Sequence, residues 1–470
     1  VTLPERFGLV LDRSARTFRN GTVLVGGSPG RLITLTPQGV ATLDALLAGE
    51  EANDGSRQLA QRLVDAGMAH PRRPEVVNGN TDITDLTVVV PVHNHAEALD
   101  RCLASLGTTT PVVVVDDASD DPDAVAAVCD RHRAQLIRRP INGGPAAARN
   151  QAVDVVTTDL VAFVDADCRV TDGWLEQLVW MFEDPDMGAV APRVRPDRAT
   201  PDADPGALTR FADAHSALDM GPEPSEVDPI RSVRYVPSAA LVIRREAFDS
   251  AGGFDSRLRV GEDVDLVWRL AGAGWRVRYE PSSIVFHEEP RTWPGTLARR
   301  FRYGTSAGPL SKRHAGRLAP VDVRLLPAAA ALAALSGRYR TAMGLVAAST
   351  ASTGVRIRGR GITLGAIVRW NVASPYWAIV GMGRASTMLA GPVLVMALLR
   401  GGRARRAAAV LLLAPPLVDW WKHRPGLDPV RWTLASVVDD LCYGAGVWTG
   451  CFRSRSFGPV CPRVRVSGRS

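Results

Sequence analysis

Carboxylates in pairs, set behind apolar runs, carry most of the chemistry open to this sequence. Asp165-Ala166-Asp167 follows the run Leu160–Val164. Alternation along an extended chain puts both side chains on one side, at the end of a buried strand. Two carboxylates held close repel each other unless a cation or proton joins them. A hard divalent cation with oxygen ligands is the natural partner, and a diphosphate would complete its shell. D-x-D also arises by chance, but its place behind an apolar strand raises it above chance.

Asp116-Asp117 closes the run Val112–Val115, where a nucleotide base or ribose could bond to a fixed acceptor. The same pair could cap a turn with Ser119 and Asp120. Asn142-Gly143-Gly144-Pro145 leads into Ala146-Ala147-Ala148-Arg149-Asn150. Free N–H groups at a helix start favour phosphate, and Arg149 can reach an anion. The alternative is a plain Gly-Pro helix entrance with Arg149 on the solvated face. Gly261-Glu262-Asp263 precedes a helix over Val264–Ala271. Acidic residues there suit the helix dipole; the functional reading is a general base. His287 follows the strand-like run Ser283–Phe286, and a lone histidine is usually structural. Arg299-Arg300-Phe301-Arg302-Tyr303 reads most simply as a solvated basic helix.

The elements that must position these residues alternate. Strands are expected at Leu86–Val92, Pro111–Val115, Gln135–Arg138 and Leu160–Val164. Helices are expected at Glu97–Leu106, Ala124–Arg133 and Pro145–Val156. Such alternation predicts a mainly parallel, doubly wound sheet, with ligands beyond the carboxyl ends of its strands. Both acidic pairs fall there.

Ahead of this core, residues 1–75 read as a small α+β unit of their own. Val23–Val25 and Leu32–Leu35 are short strands, Thr36 caps a helix through Leu47, and a second helix covers Ser56–Ala66. The polar stretch Asn78–Asp85 reads as a linker. Residues 320–470 hold apolar stretches at Leu325–Leu335, Thr341–Val355, Trp370–Leu399, Ala407–Val418 and Leu441–Phe452. Trp370–Leu399 is long enough to span a bilayer, although Arg384 interrupts it; the others are too short to span alone. Arg400, Arg403, Arg405 and Arg406 follow, the pattern of a cytoplasmic flank. A soluble helical domain with amphipathic faces is the plainer alternative.

The 470 residues carry a net charge of +7. From Arg291 onward there are 27 Lys and Arg against 5 Asp and Glu, whereas residues 1–290 carry 29 against 44. A basic tail meets nucleic acid or anionic lipid. Its basic residues alternate with apolar runs, which favours membrane lipid over nucleic acid. Six cysteines form no C-x-x-C pair, which argues against zinc ribbons and a secreted disulfide framework. No basic-then-apolar leader stands at the start, so the expected compartment is the cytosol or the cytoplasmic face of the cell membrane. A Walker A sequence is absent, which argues against an NTPase.

Residues 86–305 resemble a family 2 glycosyltransferase with the GT-A fold. The resemblance rests on Pro91-Val92-His93-Asn94, Asp116-Asp117, Asn142-Gly143-Gly144 with Arg149-Asn150, Asp165-Ala166-Asp167, Gly252-Gly253-Phe254-Asp255 and Gly261-Glu262-Asp263. It implies a transferase domain over residues 86–310. It implies that Pro91, Asn94 and Asp117 line the nucleotide site, that Asp165 and Asp167 form the D-x-D pair, and that Asp167 is the direct metal ligand. Asp263 becomes the base of the E-D pair beside Glu262, and His287 a further metal ligand. The implied cofactor is a divalent metal, Mg2+ or Mn2+. Arg302 and Tyr303 fall in a run similar to the Q-x-x-R-W signature of processive members. Arg299 replaces its Gln and Tyr303 its Trp, which puts a synthase-like role in doubt.

The layout of the whole chain resembles one subgroup, the glycosyltransferases of mycofactocin biosynthesis. It shares Leu24-Val25-Gly26-Gly27-Ser28-Pro29, the core and the apolar Arg-rich tail. That resemblance implies transfer of a hexose, glucose, from a UDP- or GDP-hexose to a small-molecule or peptide-derived acceptor, a redox cofactor or its precursor. The N-terminal unit is also loosely similar to winged modules that hold precursor peptides. Chemically, a cation at Asp165 and Asp167, helped by Arg149, neutralises the leaving diphosphate. Asp263 takes the acceptor proton as its oxygen attacks the anomeric carbon, a single displacement with inversion. A lipid-linked or cell-surface glycan acceptor and a non-catalytic scaffold are the rival readings. Intact D-x-D and E-D pairs speak against the scaffold.

Overall fold

The computed structural model describes residue 3 and residues 7–50, 53–73, 85–197 and 206–465. The linker read at Asn78–Asp85 lies, up to residue 84, outside the described residues. The chain forms two compact units. One takes the described residues up to 197 together with Ser216–Glu289; the other takes Ala207–His215 and the chain from Pro290 onward.

The N-terminal segment begins with β1 (Gly8–Leu11). A three-stranded antiparallel sheet follows, made of β2 (Arg16–Phe18), β3 (Val23–Gly26) and β4 (Arg31–Thr34). Thr36 then caps the helix Pro37–Ala48, its Oγ1 accepting the Gly39 N–H at 3.1 Å. The helix Asp54–Asp65 starts at a reciprocal capping box between Asn53 and Ser56. β5 (Ala69–Arg72) returns to pair antiparallel with β1. This segment shares a core with the large sheet, including Leu24, Leu63 and Met68, and belongs to the same compact unit.

The large sheet begins with β6 (Leu86–Val92), β7 (Val112–Asp116), β8 (Gln135–Arg138) and β9 (Leu160–Val164). Pairs β6–β7, β7–β8 and β6–β9 are all parallel. Val88, Val89, Val90, Val114 and Val115 are fully buried. Each such β-branched side chain contributes about 1.5–3 kcal/mol on burial, which is why these runs become central strands. Asp116 is the last residue of β7 rather than the first beyond it, because its backbone pairs with Val92 and with Arg138.

Beyond β9 the sheet becomes mixed. β10 (Cys168–Val170), β11 (Met187–Pro196), β12 (Ser225–Glu226), β13 (Ala240–Arg244) and β14 (Arg276–His287) complete nine strands. The order is β10-β14-β11-β13-β9-β6-β7-β8, with β12 on β14. β13 runs antiparallel to β9 and β11, whereas β11 and β14 are parallel. The result is a GT-A-type mixed sheet with helices.

The second unit is helical. Its helices include Trp293–Thr305, Leu325–Leu335, Tyr339–Arg356, Leu364–Leu399, Gly402–His423 and Pro429–Ser454. The short apolar runs at Ala407–Val418 and Leu441–Phe452 are interior parts of longer helices, whose polar flanks continue the helical hydrogen bonding. Leu364–Leu399 is long and apolar enough to cross a membrane by length and composition. It kinks at Ala390, where φ is −137°. Arg384 on this helix pairs with Asp419 on the next. β15 (Asp322–Arg324) and β16 (Arg463–Arg465) form a small parallel pair in the same unit.

Candidate active site

The carboxyl ends of β6, β7 and β9 bring the sequence motifs together. After β6, Asn94 adopts a left-handed φ of 61°. Its N–H donates to Ser119 Oγ at 2.9 Å, its Nδ2 donates to Asp120 Oδ2 at 2.9 Å, and its Oδ1 accepts the Asp120 N–H at 2.7 Å. The loops after β6 and β7 are thereby tied into one ledge. Pro91, half-buried, lies beside it on β6, opposite Val115. Asp116 is buried and accepts the Ser119 N–H at 2.9 Å, so the turn-capping alternative applies to this residue.

Asp117 does something the sequence does not announce. Its Oδ1 accepts from Arg139 Nε at 2.7 Å and from the Gly143 N–H at 2.9 Å, while Oδ2 accepts the Gly144 N–H at 2.7 Å. The N–H groups of the Asn-Gly-Gly turn, read as a phosphate cradle, are held here by a carboxylate of the chain. Gly144 has a φ of 86°, the left-handed region that favours glycine. Arg139 is the residue that sequence reasoning missed. Its signal is position alone, the first residue after β8 and so at the carboxyl edge of the sheet.

Arg149 is neither on the solvated face nor free to meet a phosphate. It is 2% exposed. The anions it reaches are Asp165, through Nη2, and Glu262, through Nη1 at 3.2 Å. Its guanidinium also lies 5.3 Å from the centre of the Phe254 ring. Asn150 holds the same turn from both sides, accepting the Phe254 N–H at 2.9 Å and donating to the Phe254 carbonyl at 2.8 Å. Two adjacent residues of one helix therefore link the D-x-D strand end, the Gly-Gly-Phe turn and the E-D helix start. Small alanines allow this: Ala146, Ala148 and Ala152 are buried on that helix.

Gly261, with a φ of 82°, turns the chain into the helix Glu262–Gly272. Asp263 Oδ1 accepts the Val264 N–H at 2.8 Å and Oδ2 accepts the Ser238 N–H at 3.4 Å. Burial pushes the Asp263 carboxyl up, while those two N–H groups and the charge of Arg149 work the other way. Glu262 is pushed up to about 7, by burial first and then by the neighbouring Asp263 charge, with Arg149 opposing. Both carboxyls of the pair are thus raised above their ordinary range, first of all by burial.

Asp167 and His287 meet across the strand ends. Cys168 pairs with His287 in the β10–β14 ladder, and the Glu288 N–H donates to the Asp167 carbonyl at 2.9 Å. His287 Nε2 stands 3.5 Å from Asp167 Oδ2. His287 Nδ1 is buried without a hydrogen-bond partner. A carboxylate oxygen and an imidazole nitrogen at this distance are donors that could serve as two ligands of one divalent ion. No cluster of three or more His, Cys, Asp or Glu side chains placed to hold a metal occurs among the described residues. Arg302, exposed, and Tyr303, half-buried, lie on the helix Trp293–Thr305 of the second unit. The strand-end constellation described here is built without them.

The chain is similar to known proteins in sequence. The model of glycosyl transferase family 2 matches residues 87–249. The pre-mycofactocin glycosyltransferase of Mycobacterium tuberculosis is 36% identical over 99% of both chains. The succinoglycan biosynthesis protein ExoU of Rhizobium meliloti is 31% identical over 42% of this chain and 59% of its own. Among solved structures, a mannosyltransferase from Pyrobaculum calidifontis in complex with GDP-Man and Mn2+ matches 63% of this chain and 87% of its own, at 20% identity and a TM-score of 0.38. On the family match over the sheet and the end-to-end relative, the chain belongs to glycosyl transferase family 2.

Proposed function

We propose that this glycosyltransferase moves a hexose, glucose, from a UDP- or GDP-sugar to a hydroxyl of a peptide-derived acceptor, a pre-mycofactocin, with inversion at the anomeric carbon. The observation that carries the reading is the 36% identity to the pre-mycofactocin glycosyltransferase across 99% of both chains. The N-terminal segment and the helical tail lie inside that match, so it extends beyond the shared catalytic sheet.

The residues have distinct parts in this reading. Asp263 accepts the acceptor's hydroxyl proton, with Glu262 beside it tuning its basicity. Arg149 fixes Glu262 and Asp165, and the ledge of Pro91, Asn94 and Asp117 receives the nucleotide. Asp167 and His287 would hold a divalent ion, which supplies positive charge to the departing diphosphate. One base without a second carboxylate nucleophile suits a single displacement.

Purified protein incubated with the peptide-derived acceptor and each nucleotide-sugar, followed by mass spectrometry, tests the donor and acceptor together. A mass increase of whole hexose units is expected. An α-to-β or β-to-α change at the new linkage, read by NMR, tests inversion. Asp167→Asn and His287→Ala should each raise the Mn2+ concentration needed for half-maximal transfer. Unchanged metal dependence in both would remove these residues from the metal shell.

A second reading, a lipid-linked glycan acceptor, draws on the tail. The exposed large apolar side chains of the second unit include Met343, Leu364, Val393, Leu399, Trp421 and Leu434, and the basic excess lies in the same region. In both readings the second unit rests at the cytoplasmic face of the cell membrane, bound to anionic lipid. High salt should release part of the protein from membranes and detergent the rest. Full recovery in the low-salt soluble fraction would exclude this location.

A further inference from the structure

A narrow cleft, open to solvent, lies between the N-terminal segment and the sheet, lined in part by Ser28, His70, Ser225, Arg231, Ser232 and Arg278. It stands far from the transfer site. Arg278 pairs with Val190 and His287 with Pro196 on β11, six residues or roughly 20 Å of strand apart.

Arg278 is 4% exposed. Its Nη2 donates to His70 Nδ1 at 3.3 Å, and its Nε is buried with no partner. His70 Nε2 in turn donates to Asp12 Oδ2 at 3.0 Å. The arginine can only donate, so Nδ1 accepts from Arg278 and Nε2 is left to donate to Asp12. No carboxylate among the described residues pairs with Arg278. Glu226, opposite it on β12, is held by Arg231, and Asp12 by His70 and Ser14.

Neither buried Arg149 nor half-buried Arg276 shares that condition. Arg149 meets Asp165 and Glu262, and Arg276 meets Asp65 and Asp184. A guanidinium taken out of water without a counter-charge is unfavourable, and burial draws the Arg278 pKa down. Its fixed fork is the side chain best shaped for a planar or tetrahedral oxyanion. Hydroxyls of Ser225 and Ser232, 3.3 Å from each other, stand at the same cleft.

The geometry points to an anion-docking site at this cleft, in which Arg278 receives one oxygen of a carboxylate or phosphate group. Two sources share that chemistry, a free inorganic anion and the carboxyl terminus of a peptide. The site is separate from donor binding and from the transfer step.

Thermal unfolding of the full chain at constant ionic strength tests it. The probes are inorganic phosphate, chloride, and one short peptide with either a free or an amidated carboxyl terminus. Phosphate, or the free-terminus peptide, is expected to raise Tm by several degrees in the native protein and not in Arg278→Met. A rise with phosphate identifies a free anion as sufficient, and a rise only with the free-terminus peptide identifies a chain end. Arg278→Lys, which keeps the charge and loses the fork, serves as the second variant and should lose most of the shift. No rise with any probe, an equal rise with chloride, or an undiminished rise in both variants overturns the site.

Discussion

The two compact units use similar apolar residues in opposite ways. In the sheet unit the valines of β6 and β7 turn inward. Among the described residues of that unit, Val10, Ile141, Val155 and Ile230 are the only large apolar side chains left exposed. In the helical unit, exposed apolar side chains run from Leu325 to Val464, and Leu364–Leu399 is only 22% buried over its most apolar window. Close contact there comes from glycine. A Cβ built on Gly444 would stand 1.7 Å from the Met388 carbonyl oxygen, and one on Gly446 would stand 2.1 Å from that of Phe301. Gly304 and Gly308 face the same helix, which carries Gly446 and Gly450 at the same four-residue spacing. Backbone-close packing with apolar side chains outward is how helices associate where the surroundings are themselves apolar. The comparison teaches that one unit turns nearly all its large apolar side chains into a core, whereas the other leaves many exposed and brings helix backbones together at glycines.

The sharpest break of that comparison is chemical and confined to the sheet unit. Asp263→Asn should lower kcat by about 10²–10⁴-fold, the range for a lost general base, while donor Kd stays unchanged. Rate measurement paired with nucleotide-sugar titration reads both. A collapse of donor affinity in step with rate would make Asp263 a binding residue.

Next in size is a defect in the helical unit. Gly444→Val forces carbon into the Met388 carbonyl and should destabilise the protein by roughly 1–3 kcal/mol, as overpacking does. Tm should fall, while the folded fraction keeps its kcat. The control is Gly365→Ala, where no heavy atom lies within 4 Å of a built Cβ and no loss is expected.

The smallest effect is a shift in pH dependence. Glu262 is raised from the ordinary glutamate value to about 7, so it takes up a proton as the pH falls through neutrality. Activity should decline on the acid side of about pH 7. Glu262→Gln removes the neighbouring charge that helps hold the Asp263 proton, and the acid limb should move to lower pH. A limb left in place would assign it to another group.

Much of the sheet unit was legible in the residues. Leu86–Val92 and Leu160–Val164 are strands with the expected bounds, because continuous β-branched and apolar runs have few other ways to bury themselves. Asp165, Asp167, Glu262 and Asp263 stand at a strand end and a helix start, where spacing put them. β13 and the mixed half of the sheet were not legible, since direction is set by pairing partners distant in sequence. The helices of the tail were legible as apolar runs but not in length, because Gly402–His423 and Pro429–Ser454 extend through polar flanks.

What sequence alone determined, then, is local: strand identity from apolar runs, the helix cap at Thr36, and the placement of carboxylates at element ends. Tertiary structure decided who answers whom. Asp117 holds Gly143 and Gly144 instead of leaving their N–H groups open, and Arg149 joins nearby Asp165 to Glu262, which lies 113 positions further along the chain from Arg149. Arg278 is buried with only His70 for company. A charged side chain carries the same formal charge wherever it stands in the sequence. Its partner, its burial and hence its chemistry exist only once distant segments have removed the water between them.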